Sequence, residues 1–131
     1  MAISYDEFKK VEVKVGQILS AEKIPDTDKL LKLSVDFGMK KVEMTSIVVD
    51  PLSPVVMPVE EKDIRQIVSG IALHYTDPAV LVGKKVAFVT NLEPRKIKGF
   101  ESNGMILAVS GEGFFSLLEV NEIVPPGSSA S

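Results

Sequence analysis

Strict alternation of apolar and polar residues marks two segments in the first third of the chain. Residues 11–15 (VEVKV) and residues 31–37 (LKLSVDF) each place apolar side chains at every second position. Side chains two apart on a β-strand point to the same face, so each segment predicts a strand with one buried and one solvated face. Gly16 interrupts the first strand where a bend would let a small sheet curl. The pattern therefore predicts an antiparallel sheet that curves around an apolar core.

Later segments continue the β pattern between glycine and proline turns. Strand composition recurs in residues 42–49, 64–73, 86–89, 105–109 and 114–120. Two short helices are also predicted. Ser4 and Glu7 are spaced as a capping box for a helix expected to cover the barrel, and Thr76 or Asp77 caps a turn that starts with Pro78. Short strands with few helices predict an all-β fold, a five-stranded barrel that is closed or partly open.

A basic, turn-rich loop at residues 91–107 (NLEPRKIKGFESNGMIL) separates two of these apolar strands. The loop must display Arg95, Lys96 and Lys98. Pro94 fixes one backbone angle, and two glycines permit conformations closed to other residues, so the loop should have a defined shape. A shaped cationic loop suits phosphate, whereas from charge alone a solvated hairpin is the favoured interpretation.

Overall charge makes this basic loop a local feature. The 131 residues carry 15 Lys and Arg against 18 Asp and Glu, a net charge of −3, and 45% of them are hydrophobic. The length and hydrophobic content suit a single domain, residues 1–131. The negative net charge argues against a protein that coats nucleic acid with its whole surface. The local basic patch is predicted to comprise Lys84, Lys85, Arg95, Lys96 and Lys98.

Little in the sequence favours catalysis, a metal or a cofactor. The chain has no cysteine and a single histidine, His74, which no potential nucleophile accompanies at a suitable spacing and which is interpreted as a strand-end residue. Asp26 and Asp28 are typical of a turn, since no further oxygen ligands are patterned around them. No segment has the length of a signal sequence or a membrane span, so we expect a cytoplasmic binding protein that is not an enzyme.

The wording of residues 91–107 closely resembles the tRNA-binding domain appended to methionyl-tRNA synthetases, which also exists as a free-standing structure-specific tRNA-binding protein. Asn-Leu-x-Pro-Arg-Lys is followed by Gly-x-x-Ser-x-Gly-Met-x-Leu. Five further segments match that family in order, so the resemblance covers nearly the whole chain: residues 13–18, 28–30, 35–38, 65–71 and 83–86.

The resemblance implies an oligonucleotide-binding (OB) barrel whose partner is tRNA, either alone or beside the catalytic part of methionyl-tRNA synthetase. Arg95, Lys96 and Lys98 would contact phosphates. The family's motif positions give Lys29, Asn91, Ser102 and Met105 a role in fitting RNA shape. A methionine of the barrel core is the alternative for Met105.

Two other functions are compatible with the same fold. One is a protein-binding chaperone of the export type, although that branch departs from the wording of residues 68–71 and 102–105. The other is a signalling cytokine domain, although those proteins carry a further C-terminal extension.

Residues 39–64 are the main departure from the family, whose members usually cross this region in a handful of residues. Residues 42–49 have strand composition, and Pro51, Pro54 and Pro58 force an extended or turning path. An inserted hairpin is the favoured interpretation. A partner-binding arm is the alternative, because Val55, Val56, Met57 and Val59 would otherwise leave apolar surface exposed.

Surplus apolar residues near the C-terminus predict a homodimer, in agreement with the resemblance. Phe114 and Phe115 point to opposite faces of a strand, so one of them faces away from the core. Part of the Leu117-Leu118 pair and residues 124–126 also lack an obvious cover, and a twofold partner would supply it. A monomer covered by residues 40–63 is the alternative. The last residues, 128–131, are expected to fray.

Overall fold

The computed structural model describes residues 1–50 and 53–130, with side chains described for residues 1–40 and 61–130. It is nearly all β, as predicted. The helical elements are α1 (Tyr5–Phe8) and two 3-10 helices, Ala72–His74 and Pro78–Leu81. The strands are β1 (Val13–Lys23), β2 (Leu31–Asp50), β3 (Ser53–Ser69), β4 (Lys85–Val89), β5 (Arg95–Ile97), β6 (Phe100–Ser102), β7 (Met105–Ile106), β8 (Ala108–Gly111), β9 (Phe114–Leu117) and β10 (Ser129–Ala130).

One antiparallel sheet forms the body of the molecule, with strand order β3-β2-β1-β4-β7 and β10 beside the first residues of β1. β5 pairs with β6, and β8 pairs with β9, as separate hairpins. The sheet curls, so that the exposed edge of β3 approaches the residues just before β7. There the Asn103 amide donates to the Gln66 carbonyl at 2.9 Å. The arrangement agrees with an OB-like barrel.

The core lies inside this curl and is built from the alternating positions of the strands. Phe37 and Phe88 meet edge to face with ring centroids 5.2 Å apart. Asp77 caps the second 3-10 helix as predicted, and Leu81 from that helix is buried in the core. The largest fully buried side chains are Phe88, Ile18, Leu31, Leu33, Ile67, Leu81, Val35 and Val86.

The pairing of β2 with β3 confirms a hairpin within residues 39–64, whereas its status as an insertion stays a prediction. Pairing continues past the barrel from Met39↔Lys62 to Asp50↔Ser53. Pro51 lies outside the described residues. The side chains of residues 55–59, on which the alternative of a partner-binding arm depends, lie outside them as well.

Several predicted strand boundaries were wrong, since the strands end earlier than the sequence pattern indicated. The strand expected over residues 64–73 ends at Ser69, where the chain bends at Gly70 into a 3-10 helix. The strand expected over 105–109 is divided at Leu107, and the last long strand ends at Leu117 instead of residue 120. Ser4 caps α1 by accepting a hydrogen bond from the Glu7 amide at 3.1 Å, which is half of the predicted capping box. However, α1 is a single turn with no buried residue, so it does not contribute to the core.

Residues 127–130 are bonded to β1, in contrast to the fraying expected from residue 128 onward. The Gly127 amide donates to the Val15 carbonyl at 2.7 Å, and the Val15 amide donates to the Ser128 carbonyl at 2.8 Å. The positive φ of Gly127, 90°, lets its backbone pass against the Phe37 carbonyl, where a Cβ atom would lie 2.3 Å from that oxygen. β10 therefore joins the sheet beside β1 despite its polar composition.

Gly16 is the glycine at which a side chain should be least tolerated inside the sheet. An added Cβ atom would lie 2.5 Å from Val35 Cγ1 and 2.8 Å from the Phe37 ring. Both neighbours are buried, so we expect Gly16→Ala to lower the free energy of unfolding by roughly 1–3 kcal/mol. Denaturant unfolding measures it. Gly70→Ala is the matched control, because nothing lies within 4 Å of its added Cβ; equal losses at both positions would contradict the packing argument.

Candidate nucleic-acid interface

The predicted basic loop is a regular hairpin of β5 and β6. Lys96 pairs with Glu101, and Ile97 pairs with Phe100 across a two-residue turn of Lys98 and Gly99. Both turn residues have positive φ, 52° and 85°, which is typical of a type I′ turn that matches the twist of the strands. Ile97 and Phe100 are half-buried, whereas Lys96 and Lys98 are exposed. The turn therefore projects Lys98 from the hairpin tip.

Ser102 attaches the end of this hairpin to the barrel. Its hydroxyl accepts a hydrogen bond from the Val68 amide at 3.0 Å and donates to the Gly104 carbonyl at 3.2 Å. The residue is only 5% exposed. Ser102 therefore fixes the end of the hairpin from inside the barrel, and its role in fitting RNA shape stays a prediction.

Asn91 has a similar structural role at the start of the loop. Its side-chain oxygen accepts from the Glu12 amide at 2.8 Å, and its side-chain nitrogen donates to the Lys10 carbonyl at 2.6 Å. Both ends of the amide group are thus used within the chain. Direct hydrogen bonding to sugars or bases would have to break these contacts, so the structure favours a positioning role for Asn91 too.

Arg65 holds both ends of the loop and was missed by the sequence analysis. Its guanidinium forms two 3.1 Å hydrogen bonds to the carboxylate of Asp63, which is 8% exposed. It also donates to the Thr90 carbonyl at 2.6 Å and the Asn103 carbonyl at 3.3 Å, one on each side of the hairpin. The sequence signal for Arg65 was a charged residue within a predicted apolar strand, which indicates a buried polar contact. Its loop partners, however, are 25 and 38 residues away in sequence.

Four of the predicted site residues present exposed cations on the described surface: Lys29, Arg95, Lys96 and Lys98. None of them forms an ion pair with another residue whose side chain the structure describes. Lys29 follows the turn between β1 and β2, and it lines one open pocket together with Lys98. The fold therefore brings Lys29 to the hairpin tip although the two residues are far apart in sequence.

Lys84 and Lys85 do not belong to this group, so the predicted extent of the basic patch was wrong. Lys84 Nζ donates to Glu119 at 2.9 Å, and that bond raises the pKa of Lys84. Lys85 Nζ donates to the Glu122 carbonyl at 2.6 Å. Lys84 precedes β4 and Lys85 is its first residue, whereas the hairpin follows the other end of β4. Their contacts with Glu119 and Glu122 in the C-terminal segment hold both lysines apart from the hairpin.

Met105 is a surface residue. It is 46% exposed, and it lines a small cleft of about 70 Å³ with Arg95 and Ser102. The alternative of a barrel-core methionine is therefore wrong, and Ile106 takes the core position beside it with 8% exposure. The Lys32 ammonium also approaches the hairpin, at 5.1 Å from the Phe100 ring centroid, but it is ion-paired with Glu22 at 3.6 Å.

Other polar groups of the described structure serve the scaffold. The Thr90 hydroxyl donates to Glu12 at 2.5 Å and lowers the pKa of that carboxyl. Burial raises the pKa of Tyr75. His74 stacks on Phe115 with ring centroids 3.9 Å apart, and it lies in a 3-10 helix instead of at a strand end.

In the described part of the chain, the His, Asp and Glu side chains form no group of three that could hold a metal ion. None of the helices in this part is long and apolar enough to cross a membrane.

Comparison with known proteins identifies relatives along the whole chain. A family model described as a putative tRNA binding domain matches residues 48–129. A methionine–tRNA ligase from Methanospirillum hungatei is 45% identical over 126 residues, which are 96% of this chain and 15% of the ligase. The ligase from Thermotoga maritima is 38% identical over 130 residues, 99% of this chain and 17% of the ligase. The chain thus spans less than a fifth of the length of these relatives.

Solved structures give the same fold. A MetRS related protein from Pyrococcus horikoshii superposes with a TM-score of 0.76 at 36% identity, covering 100% of this chain and 99% of that one. The chaperone CsaA from Bacillus anthracis superposes with a TM-score of 0.71 at 23% identity, covering 100% of both chains. The second likeness is too distant in sequence to show more than the fold.

Loss of Arg65 should loosen the loop ends that carry the hairpin. Arg65→Gln leaves the buried Asp63 carboxylate without its ion pair, and we expect the free energy of unfolding to fall by roughly 2–4 kcal/mol, between the values for exposed and fully buried pairs. Denaturant unfolding measures the loss. The variant D63N/R65Q should lose less than the sum of the two single changes. Strict additivity would show that the two side chains do not support each other.

Proposed function

This chain belongs to the family of putative tRNA binding domains, and from that premise we propose that it grips folded tRNA with the β5–β6 hairpin and the turn that precedes β2. It is a non-catalytic binding module, as the sequence predicted. The observation that carries the proposal is the group formed by Lys29, Arg95, Lys96 and Lys98, which are exposed and have no ion-pair partner among the described side chains.

Phosphate is the ligand that such a group favours. A chain of net charge −3 repels nucleic acid over most of its surface, so binding depends on the few places where cations outnumber acids. The type I′ turn and the contacts of Arg65, Asn91 and Ser102 fix the hairpin before any ligand arrives. A prepared shape lowers the entropy lost on binding and favours one RNA shape over others.

Methionyl-tRNA synthesis is the process that the relatives indicate. We propose that the module raises a synthetase's hold on its tRNA, in the cytoplasm, either beside a methionyl-tRNA synthetase catalytic part or as a separate protein. A chaperone function has no comparable support, because the likeness to CsaA rests on the shared fold.

Phosphate contacts by Lys96 and Lys98 predict a specific salt dependence. For K96A/K98A we expect weaker binding of all tRNAs. The slope of log affinity against log salt concentration should also decrease in magnitude by about 0.7–0.9 for each lost contact. Fluorescence anisotropy with folded tRNA at several salt concentrations measures both quantities.

The matched control is K84A/K85A, which removes the same charge from the other end of β4. Its salt slope should stay near that of the unaltered protein, because these lysines are already bonded to Glu119 and Glu122. Equal slope changes in both variants would show that total charge, and not the hairpin, determines binding.

Met105 is proposed to lie against a ribose or base. For M105A we expect about a 2- to 10-fold loss of tRNA affinity, equivalent to the roughly 0.3–1.5 kcal/mol of a thioether contact with a ring. Its free energy of unfolding should change by less than about 1 kcal/mol because the side chain is half exposed. I106A, at the buried neighbouring position, should lose about 2–5 kcal/mol of stability. An equal loss of stability in M105A and I106A would show that Met105 belongs to the core and not to the binding surface.

A homodimer is proposed to cover the outer face of the β8–β9 hairpin. Register places Val109 and Phe114 on the same face, where they are 51% and 62% exposed. Phe115, on the opposite face, packs against the core, as the alternation predicted for one of the two aromatic residues. Leu118 is 42% exposed beside this hairpin. A twofold axis would bring two such faces together and place two cationic hairpins on one particle.

Sedimentation equilibrium tests the dimer on the 14.2 kDa chain. We expect twice that mass at micromolar concentration and a shift toward the monomer in F114A. L92A is a control, since Leu92 is also exposed but lies at the start of the cationic loop. A wild-type species that stays at monomer mass while binding tRNA would end the dimer proposal.

A further inference from the structure

An open pocket of about 430 Å³ lies between the turn that precedes β2 and the tip of the cationic hairpin. We call it the turn pocket. Its lining residues are Asp26, Thr27, Asp28, Lys29, Leu30, Ile97 and Lys98. Its volume falls within the range of about 300–1,000 Å³ that is typical of small-ligand sites. Leu30 and Ile97 are half-buried and supply an apolar wall, while charged residues surround the opening.

Backbone contacts hold the turn in one shape without help from its acidic side chains. The Thr27 hydroxyl donates to the Ile24 carbonyl at 2.7 Å, and the Ile24 amide donates to the Leu30 carbonyl at 3.2 Å. The Ala72 amide donates to the Lys29 carbonyl at 2.9 Å. By contrast, the carboxylates of Asp26 and Asp28 form no hydrogen bond or ion pair with another described side chain.

Two acids at this position are unfavourable if the surface binds only phosphate. Each carboxylate repels phosphates and weakens the field of Lys29 and Lys98. An ionised carboxylate is purely a hydrogen-bond acceptor, so it matches ligand groups that present N–H donors. The pocket therefore combines three features: cations for a phosphate, an apolar wall for a flat ring, and acceptors for donors on the edge of that ring.

Among the four RNA bases, guanine presents two adjacent N–H donors, N1–H and N2–H, on its Watson–Crick edge. Adenine and cytosine place an acceptor beside their single amino group, and uracil flanks its one N–H with two carbonyls. A carboxylate would be repelled by those acceptors. Single-stranded loops are where RNA offers unstacked bases whose edges are free for such contacts.

We propose that the turn pocket accepts one unstacked guanine nucleotide of the bound tRNA, with its base edge on Asp26 and Asp28 and its phosphate on Lys29 and Lys98. This inference rests on the proposed tRNA-binding function and adds a base-reading subsite to it. Leu30 and Ile97 would face the ring.

The sign of a charge change tests the subsite. D26N/D28N preserves side-chain size, and Asn tolerates the positive φ of Asp26, 63°. If the carboxylates receive base donors, tRNA affinity should fall about tenfold, within the range for one lost bidentate base contact. If they merely repel phosphates, affinity should rise. Fluorescence anisotropy with folded tRNA at several salt concentrations measures the change, and thermal melting confirms that the variant folds.

E112Q/E122Q is the matched control, because it also removes two exposed acids but at positions outside the cationic loop and the turn pocket. Its affinity should stay the same or rise. An unchanged or tighter affinity in D26N/D28N would overturn the inference. So would a weaker affinity accompanied by a smaller salt slope, since that loss would belong to phosphate contacts. If the unaltered protein and the control both fail to bind folded tRNA, the proposed function itself is wrong.

Discussion

Closure of a short, curled sheet is the constraint on which the rest of this structure depends. A five-membered row of strands that curls has two edges, β3 and β7, whose backbone groups must find partners. The hydrogen bond from the Val68 amide to the Ser102 hydroxyl, and that from the Asn103 amide to the Gln66 carbonyl, bridge these edges. The cationic hairpin ends at Ser102, so the hydrogen bonds that close the barrel also determine the position of the hairpin.

Arg65 connects this closure to electrostatics. Its fork contacts a buried carboxylate and two carbonyls that flank the hairpin, and its planar guanidinium also lies 5.2 Å from the Phe37 ring centroid. A lysine would supply the charge but not the several fixed donor directions. Arg65 therefore fixes the ends of the loop, whereas Lys96 and Lys98 on the hairpin stay exposed and form no ion pair with another described side chain.

Sequence reasoning found the features that depend on neighbouring residues. Alternation located β1 and the start of β2, and the caps at Ser4 and Asp77 follow from local hydrogen bonds. It failed where the deciding partner is remote. Lys84 and Lys85 were predicted in the basic patch, but they are bonded to Glu119 and Glu122 in the C-terminal segment. The burial of Ser102 likewise depends on Val68, a residue 34 positions away. The polar segment around β10 carries no β pattern, since its pairing is determined by a gap beside β1.

That pairing has a consequence for the order of assembly. β1 forms near the beginning of the chain, yet the amide and carbonyl of Val15 are satisfied by Ser128 and Gly127, and Val13 pairs with Ala130. Contacts of such long sequence separation form late, because most of the chain's conformational freedom must be lost first. During synthesis, the first strand must wait with an unpaired edge until nearly all of the domain has left the ribosome. That edge is the place where a nascent chain would need protection from other strands.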